Sequence, residues 1–369
     1  MSETAPKRPM RIVFAGGGTA GHVEPALAVA RKWLEIYPDA ECRFIGTSSG
    51  LEKKLVPQAG FPLSIIEKVV LPRRLNFNLL ALPFRLMKTV SATRKIVRGS
   101  DLLVGFGGYV SAPAYLASRL EGVPFLIHEA NAKAGWANRL GALLTSHLAI
   151  AHEVAQGKFS RALVTGLPLR REVQEGAMKA ASDWHGARSE AKKSLGWVTN
   201  RPTLLVLGGS QGSTYINEQV ARALPLLVAQ GFQILHSVGG KNELPSNSKN
   251  YTAVSYIEDI ATAYLAADIV LSRSGAVTCA EFGALGRFAI FVPLPTGNGE
   301  QARNADHLVS AGRALVVPQQ DFSSDWIVRN VGSAIELSAR ANETGLTFDL
   351  NAAENMVKVM QTIIEGAHK

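Results

Sequence analysis

Short apolar runs alternate with longer stretches of helical periodicity along most of this chain. The first part carries RIVFA (11–15), CRFIG (42–46), DLLVGF (101–106), PFLIHE (124–129) and HLAIA (147–151); the second carries TLLVLGG (203–209), FQILHSVGG (232–240), DIVLS (268–272) and FAIFVP (288–293). Apolar runs of this length separated by helical segments predict parallel strands with helices on both faces, the doubly wound α/β arrangement. Two of them open alike, because RIVFA runs into Gly16-Gly17-Gly18 and TLLVL into Gly208-Gly209. A buried strand entering a glycine turn twice predicts two Rossmann-like domains. The junction is placed near Arg170, since residues 171–200 are polar, helix-prone and strand-free before Pro202 restarts the pattern. This gives a first domain over 1–170 and a second over 171–350. In 351–369, Ala353, Met356, Val357, Met360, Ile363 and Ile364 fall on one helical face, which predicts a terminal helix that docks on a domain, the first being the candidate.

The length of 369 residues fits two domains, and 47% hydrophobic against 19% charged residues without low-complexity tracts reads as globular. Cys42 and Cys279 have no metal-ligand spacing around them and are expected to be buried thiols of a reducing compartment. The N-terminus reaches its first strand too soon for a signal peptide, and the uncharged run from Leu102 to Ser118 is broken by glycines and a proline, so a cytoplasmic protein without a membrane span is expected.

The net charge of +9 points to anionic partners. Between Lys68 and Ser100 the charged residues are all basic: Lys68, Arg73, Arg74, Arg85, Lys88, Arg94, Lys95 and Arg98. They are interleaved with Leu75, Phe77, Leu79, Leu80, Leu82, Phe84, Leu86 and Met87. Such a segment suits an anionic membrane surface, where each Lys or Arg contributes about 1 kcal/mol; an ordinary surface helix packing its apolar side inward is the other reading. Nucleic acid is not expected, because aromatic residues suited to base stacking are sparse.

Three glycine loops carry the candidate chemistry. Gly16 to His22 (GGGTAGH) lies between a strand and a helix predicted over Val23 to Tyr37, so a phosphate or oxyanion near Thr19 to Gly21 would meet unpaired backbone amides and the positive end of a helix dipole. It lacks the Lys-Ser/Thr of a Walker loop, and a dinucleotide-binding turn fits poorly with a histidine where the helix begins. Gly105 to Pro113 (GFGGYVSAP) repeats the arrangement in the first half, which suggests two anion sites there, and Gly208 to Gly212 (GGSQG) repeats it in the second. Together they point to a cleft between the halves that handles more than one phosphorylated ligand.

These loops, with HEANAKAGWANRL (128–140), SRSGAVTCAEFGALG (272–286) and Glu300-Gln301, resemble the MurG family of N-acetylglucosaminyltransferases, in order from about Arg11 to Arg313. The resemblance implies a GT-B fold: two Rossmann-like doubly wound parallel-sheet domains facing across a cleft, the first binding acceptor and membrane, the second UDP-N-acetylglucosamine (UDP-GlcNAc). The implied reaction is inverting transfer of GlcNAc to the C4 hydroxyl of the N-acetylmuramoyl sugar of undecaprenyl-linked lipid I, giving lipid II for peptidoglycan at the cytoplasmic face of the cell membrane, with other cell-wall synthesis proteins as possible partners. No cofactor and no metal are implied, and the sequence has no Asp-x-Asp.

Carried over residue by residue, the resemblance puts Thr19, Ala20, Gly21, Asn131, Arg170, Ser210, Ile257, Ala276, Val277, Thr278, Cys279, Ala280, Glu281 and Gln301 at the donor, with Arg170 balancing diphosphate charge and Glu281 accepting from ribose hydroxyls. It puts Gly107, Gly108, Tyr109 and Asn217 at the acceptor. His22, at a helix N-terminus where the dipole disfavours imidazolium, is the candidate general base, a capping or phosphate-contacting histidine being the alternative. Glu129 would orient the acceptor or assist that base. The chain departs from the common pattern at Ala20, Ala112, Leu167 and Glu300. A UDP-GlcNAc 2-epimerase shares fold and donor but needs no lipid acceptor, and a non-catalytic nucleotide-binding protein is the reading from another class.

Overall fold

The computed structural model describes residues 8–69, 78–154, 157–209, 212–296, 299–340 and 345–367, without the side chains of 78–83 and 340. Its first part runs β1 (Arg11–Gly16), α1 (Ala20–Ile36), β2 (Glu41–Gly46), α2 (Glu52–Gln58), β3 (Leu63–Ile65), α3 (Asn78–Val97), β4 (Leu102–Gly107), α4 (Ser111–Glu121), β5 (Phe125–Glu129), α5 (Trp136–Gly141), β6 (Leu148–Ile150) and β7 (Leu163–Val164). The next runs α6 (Arg171–Ser182), α7 (Trp184–Ser194), β8 (Thr203–Leu207), α8 (Thr214–Ala229), β9 (Gln233–Ser237), β10 (Tyr251–Val254), α9 (Ile260–Ala266), β11 (Ile269–Ser272), α10 (Ala276–Ala284), β12 (Phe288–Phe291), α11 (Gln301–Asn304), α12 (Asp306–Ser310), β13 (Ala314–Val316) and α13 (Ser324–Arg340). The chain closes with α14 (Ala352–Ala367).

Residue contacts divide it into two units, Met1–Arg170 with Asn351–Lys369, and Arg171–Leu350. The first holds a seven-stranded sheet in the order β3-β2-β1-β4-β5-β6-β7, the second a six-stranded sheet in the order β10-β9-β8-β11-β12-β13, and all the strand pairs are parallel. These are two doubly wound sheets. Their central strands read as continuous apolar runs because helices cover both faces: every residue of β4, β5 and β8 is buried.

The alternation within β1 shows how the first core is split. Ile12 and Phe14 face a cluster with Val23, Leu27, Trp33, Met356 and Met360, whereas Val13 and Ala15 face one with Val110, Tyr115, Phe125 and Ile127. The apolar stripe of α14 packs against α1, burying Met356, Val357, Met360, Ile363 and Ile364, and Gln361 Nε2 donates to the Tyr37 hydroxyl at 2.8 Å. Burial of each such side chain contributes about 1.5–3 kcal/mol, so the last helix is an integral part of the first unit's core. Cys42 and Cys279 are free and buried. Among the described residues no helix is long and apolar enough to cross a membrane.

Each sheet has one place where the strand order reverses direction, between β1 and β4 in the first unit and between β8 and β11 in the second. Loops leaving the carboxyl ends of those strands diverge to opposite faces and open a crevice there. The three glycine loops and the Ser272–Gly275 turn are the segments that leave these four strands.

Candidate active site

In the first unit α1 begins at Ala20, three residues before the expected Val23, so the Ala20 and Gly21 amides lie in the first helical turn, where no earlier helical carbonyl receives them. Thr19 precedes the helix in an extended conformation, and its side chain makes no capping bond to the backbone. Instead Thr19 Oγ1 lies 3.2 Å from His22 Nδ1, which is also 3.1 Å from the Gly17 carbonyl. A carbonyl only accepts, so Nδ1 carries the proton and Nε2 keeps its lone pair. Burial lowers the His22 pKa, opposed by the charge of Glu129, the Gly17 carbonyl and the charge of Glu52. The imidazole is thereby held neutral with Nε2 available.

The second loop lies directly on the first. Gly107 and Gly108 have φ of 98° and 84°, left-handed values that favour glycine. A Cβ on Gly107 would stand 3.2 Å from His22 Nε2, and one on Gly108 would stand 2.2 Å from the Gly17 carbonyl oxygen. Ser111 Oγ ties the loops together, accepting from Gly107 N at 3.1 Å and lying 3.0 Å from the Ala15 carbonyl oxygen. At the rim, Lys68 Nζ stands 4.4 Å from the centre of the Tyr109 ring. Gly107, Gly108, Tyr109, Thr19, Ala20, Gly21 and His22 are thus brought together at the crevice of one sheet.

Glu129, at the end of β5, is 3% exposed. Its Oε1 accepts from Asn131 N at 2.9 Å and Asn131 Nδ2 at 3.1 Å; its Oε2 accepts from Gly135 N at 3.0 Å and Asn138 Nδ2 at 2.9 Å. The carboxylate therefore shapes the 131–135 loop and acts on His22 through its charge. Asn138, which sequence reasoning passed over, also accepts from the Tyr115 hydroxyl at 2.7 Å. Arg170 lies 4.0 Å from Glu24 of α1.

In the second unit, Ser210 lies outside the described residues. Around it, Gly209 and Gly212 have φ of 85° and 79°, and Ser213 caps α8 by accepting from Ile216 N at 3.4 Å. Arg273 of the SRSG turn is the organiser here. Its guanidinium donates to Ser213 Oγ (2.9 Å), Gln319 Oε1 (2.8 Å) and the Val292 and Pro293 carbonyls (2.9 and 3.1 Å). The Ala276–Glu281 run opens α10, with Ala276 and Thr278 partly exposed and Val277, Cys279, Ala280 and Glu281 buried. Glu281 is fully buried and accepts from the Tyr264 hydroxyl at 2.9 Å. Gln301 meets the same turn, its carbonyl accepting from Ser274 Oγ at 2.7 Å and its Oε1 accepting from Leu294 N at 3.1 Å, while Ile257 is half-exposed after β10. Asn217 belongs to the second unit, on α8, unlike the other acceptor candidates. It donates to the Val238 carbonyl at 2.9 Å and lies 3.0 Å from His236 Nε2, which makes it a brace for the loop after β9.

The first half, residues 12–150, matches the Glycosyltransferase family 28 N-terminal domain, and residues 203–360 match the C-terminal domain of that family. A protein of Corynebacterium efficiens named UDP-N-acetylglucosamine--N-acetylmuramyl-(pentapeptide) pyrophosphoryl-undecaprenol N-acetylglucosamine transferase is 46% identical over 330 residues, 89% of either chain. The chain belongs to the MurG family of glycosyltransferases. The crystal structure of Acinetobacter baumannii MurG superposes with a TM-score of 0.69 at 26% identity over 96% of this chain and all of that one, and the two units have the GT-B architecture of this family. A UDP-GlcNAc 2-epimerase from Neisseria meningitidis shares the fold alone, with a TM-score of 0.58 at 14% identity, covering 96% of this chain and all of that one.

Proposed function

We propose that the chain transfers GlcNAc from UDP-GlcNAc to the C4 hydroxyl of the N-acetylmuramoyl sugar in undecaprenyl-linked lipid I, with inversion. The observation that carries this reading is the 46% identity to a transferase of that name across 89% of both chains. The epimerase likeness extends to fold only, at 14% identity.

In this mechanism His22 Nε2 takes the proton of the acceptor hydroxyl as its oxygen bonds to the anomeric carbon. The bond from that carbon to the UDP oxygen breaks, and UDP leaves with the electron pair. Its charge is met by the amides of α8 and α10 at their N-termini, by Ser210 and by Arg170. Thr19, Ala20, Gly21, Asn131, Ile257, the Ala276–Glu281 turn and Gln301 complete the donor pocket. Gly107, Gly108 and Tyr109 hold the lipid diphosphate, and Asn217 is the remaining residue proposed for the acceptor.

The same reading places the protein peripherally on the cytoplasmic face of the membrane, through the segment from Lys68 to Ser100. Residues 70–77 of that segment lie outside the described residues. On the described part of α3, Phe84 and Met87 are 74% and 68% exposed, so the apolar side chains there are not all turned inward. Arg85 and Lys88 pair with Glu67, and Arg94 and Arg98 with Glu121. The test is transfer of radiolabel from UDP-GlcNAc to lipid I. The wild type forms lipid II, and His22→Ala lowers kcat by about 10²–10⁴-fold, the usual contribution of a positioned general base. A His22→Ala chain that keeps wild-type turnover removes the base assignment, and conversion of UDP-GlcNAc at C2 without acceptor would favour the epimerase.

A further inference from the structure

A carboxylate that neither the mechanism nor the sequence motifs use lies behind the first glycine loop. Glu52, at the start of α2, is fully buried. Its Oε2 accepts from Gly18 N at 2.8 Å, and its Oε1 accepts from Thr47 N at 2.8 Å and from the Thr47 hydroxyl at 2.9 Å. A buried carboxylate is tolerated only when its lone pairs are met in this way.

The space it occupies is carved from three segments. A Cβ on Gly17 would stand 2.9 Å from Glu52 Oε1, one on Gly46 would stand 2.5 Å from its Cγ, and one on Gly50 would stand 2.0 Å from its Oε2. Any side chain at these positions would displace the carboxylate. The fit is a built socket, since three glycines and three donors converge on one group.

A loop that serves anions would be expected to exclude negative charge, so the carboxylate calls for a reason. The Gly18 peptide, at φ 93°, points its N–H inward, and a carboxylate is a strong acceptor for it. With Gly18 anchored, the Gly17 carbonyl is fixed where it accepts from His22 Nδ1, and the Ala20 and Gly21 amides remain at the open end of α1.

We propose that Glu52 is a positioning residue of the transferase, holding the Gly17–Gly18 peptide so that the His22 imidazole and the α1 amides are presented together. The inference rests on the reaction proposed above. Glu52 acts from the α2 side and Glu129 from β5, and both raise the proton affinity of His22 against its burial. Asn138 of α5 adds a neutral amide near Gly107, and on α1 itself Glu24 pairs with Arg170.

The test compares wild type, Glu52→Gln and Thr47→Val in the full chain, by transfer kinetics across pH and by NMR titration of His22 without substrate. Glu52→Gln keeps the shape but turns an amide N–H toward a donor and removes the charge. Its kcat/KM is expected to fall about 100-fold, as for a misplacement near 1 Å, and the His22 titration and the acid limb of kcat/KM both to move to lower pH. Thr47→Val, which removes one donor and leaves the charge, is expected to lose less activity and to leave the limb in place.

A Glu52→Gln chain within about threefold of wild type, or one that loses activity with an unmoved His22 titration, overturns the inference. If Glu52→Gln does not fold, Thr47→Val decides: full wild-type kcat/KM overturns it. A wild type without transfer activity would sink the proposed reaction, while the NMR titration would still judge Glu52.

Discussion

Gly108→Ala tests whether the two loops of the first unit act as one device. The new Cβ would stand 2.2 Å from the Gly17 carbonyl oxygen, about 1 Å inside an ordinary carbon–oxygen contact. Both partners are backbone, so relief requires one loop to move by roughly that amount. The φ of 84° adds about 1–2 kcal/mol for an L-residue. The Gly17 carbonyl is the acceptor of His22 Nδ1, so where the first loop yields the imidazole turns with it, away from the position the proposed reaction needs. A misplacement near 1 Å costs about 10²-fold in rate, whereas the conformational strain alone lowers Tm by only a few degrees, about 2–4 °C per kcal/mol for units of this size. Gly122→Ala is the matched control: φ there is 68° and nothing lies within 4 Å of the new Cβ. Both variants are expected to melt a few degrees lower, and Gly108→Ala alone to lose kcat in the lipid I transfer assay. Equal kcat in the two variants would refute the coupling of the loops through Gly17.

Two further outcomes are expected. Phe84→Asp with Met87→Asp reduces sedimentation with anionic liposomes and leaves transfer to a soluble lipid I analogue unchanged; undiminished liposome binding would show that α3 does not carry membrane contact. Burial pushes His128 and His236 down to about 4, one in each unit, so the unfolded chain takes up protons near pH 6.5 that the folded chain refuses until about pH 4. Stability is then full above pH 6.5 and falls as pH drops toward 4, by about 3 kcal/mol per histidine. Urea midpoints that stay flat between pH 7 and 5 would contradict this, and His236→Gln is expected to remove the second unit's share.

The sheet centres were legible because buried parallel strands spell themselves as apolar runs. Every run named at the outset contains a strand, whereas β3, β7, β10 and β13 were not named, and these are the four edge strands. The edge strands are short, two to four residues, and less covered than the centre, so β3, β7 and β10 carry no long apolar run; β13 lies in one, Ala314 to Val317, cut short by Pro318. The site was legible where backbone geometry demands glycine, as at Gly17, Gly107 and Gly108. It was not legible at Glu52, which accepts from Gly18 N, at Asn138, which bonds Glu129 and Tyr115, or, in the second unit, at Arg273, which donates to Ser213. The trace of Glu52 is the pair Gly46 and Gly50 just before it, which clears its socket, but glycines around an acidic residue also spell an ordinary turn. Arg273 leaves less, because its carbonyl partners Val292 and Pro293 come together with it only in the fold.

The two units hold their loops with groups of opposite charge. In the first, Glu52 and Glu129 accept backbone N–H groups from Gly18, Asn131 and Gly135, so the fixed charge behind the loops is negative. In the second, Arg273 donates to Ser213 and to the Val292 and Pro293 carbonyls, and Asn217 and Asn242 donate to Val238 O, so the fixed charge is positive. A carboxylate meets buried N–H groups and a guanidinium meets buried carbonyls; the sign also matters for what is bound in front. In the proposed mechanism, negative charge behind His22 supports the imidazolium formed when the acceptor hydroxyl gives up its proton. In the same mechanism, positive charge behind the α8 N-terminus supports the departing diphosphate. Arg273→Met is the corresponding perturbation in the second unit: it leaves Ser213 and two carbonyls without their donor, and on this argument it weakens UDP affinity while leaving the acid limb of kcat/KM, set by His22 in the first unit, where it was.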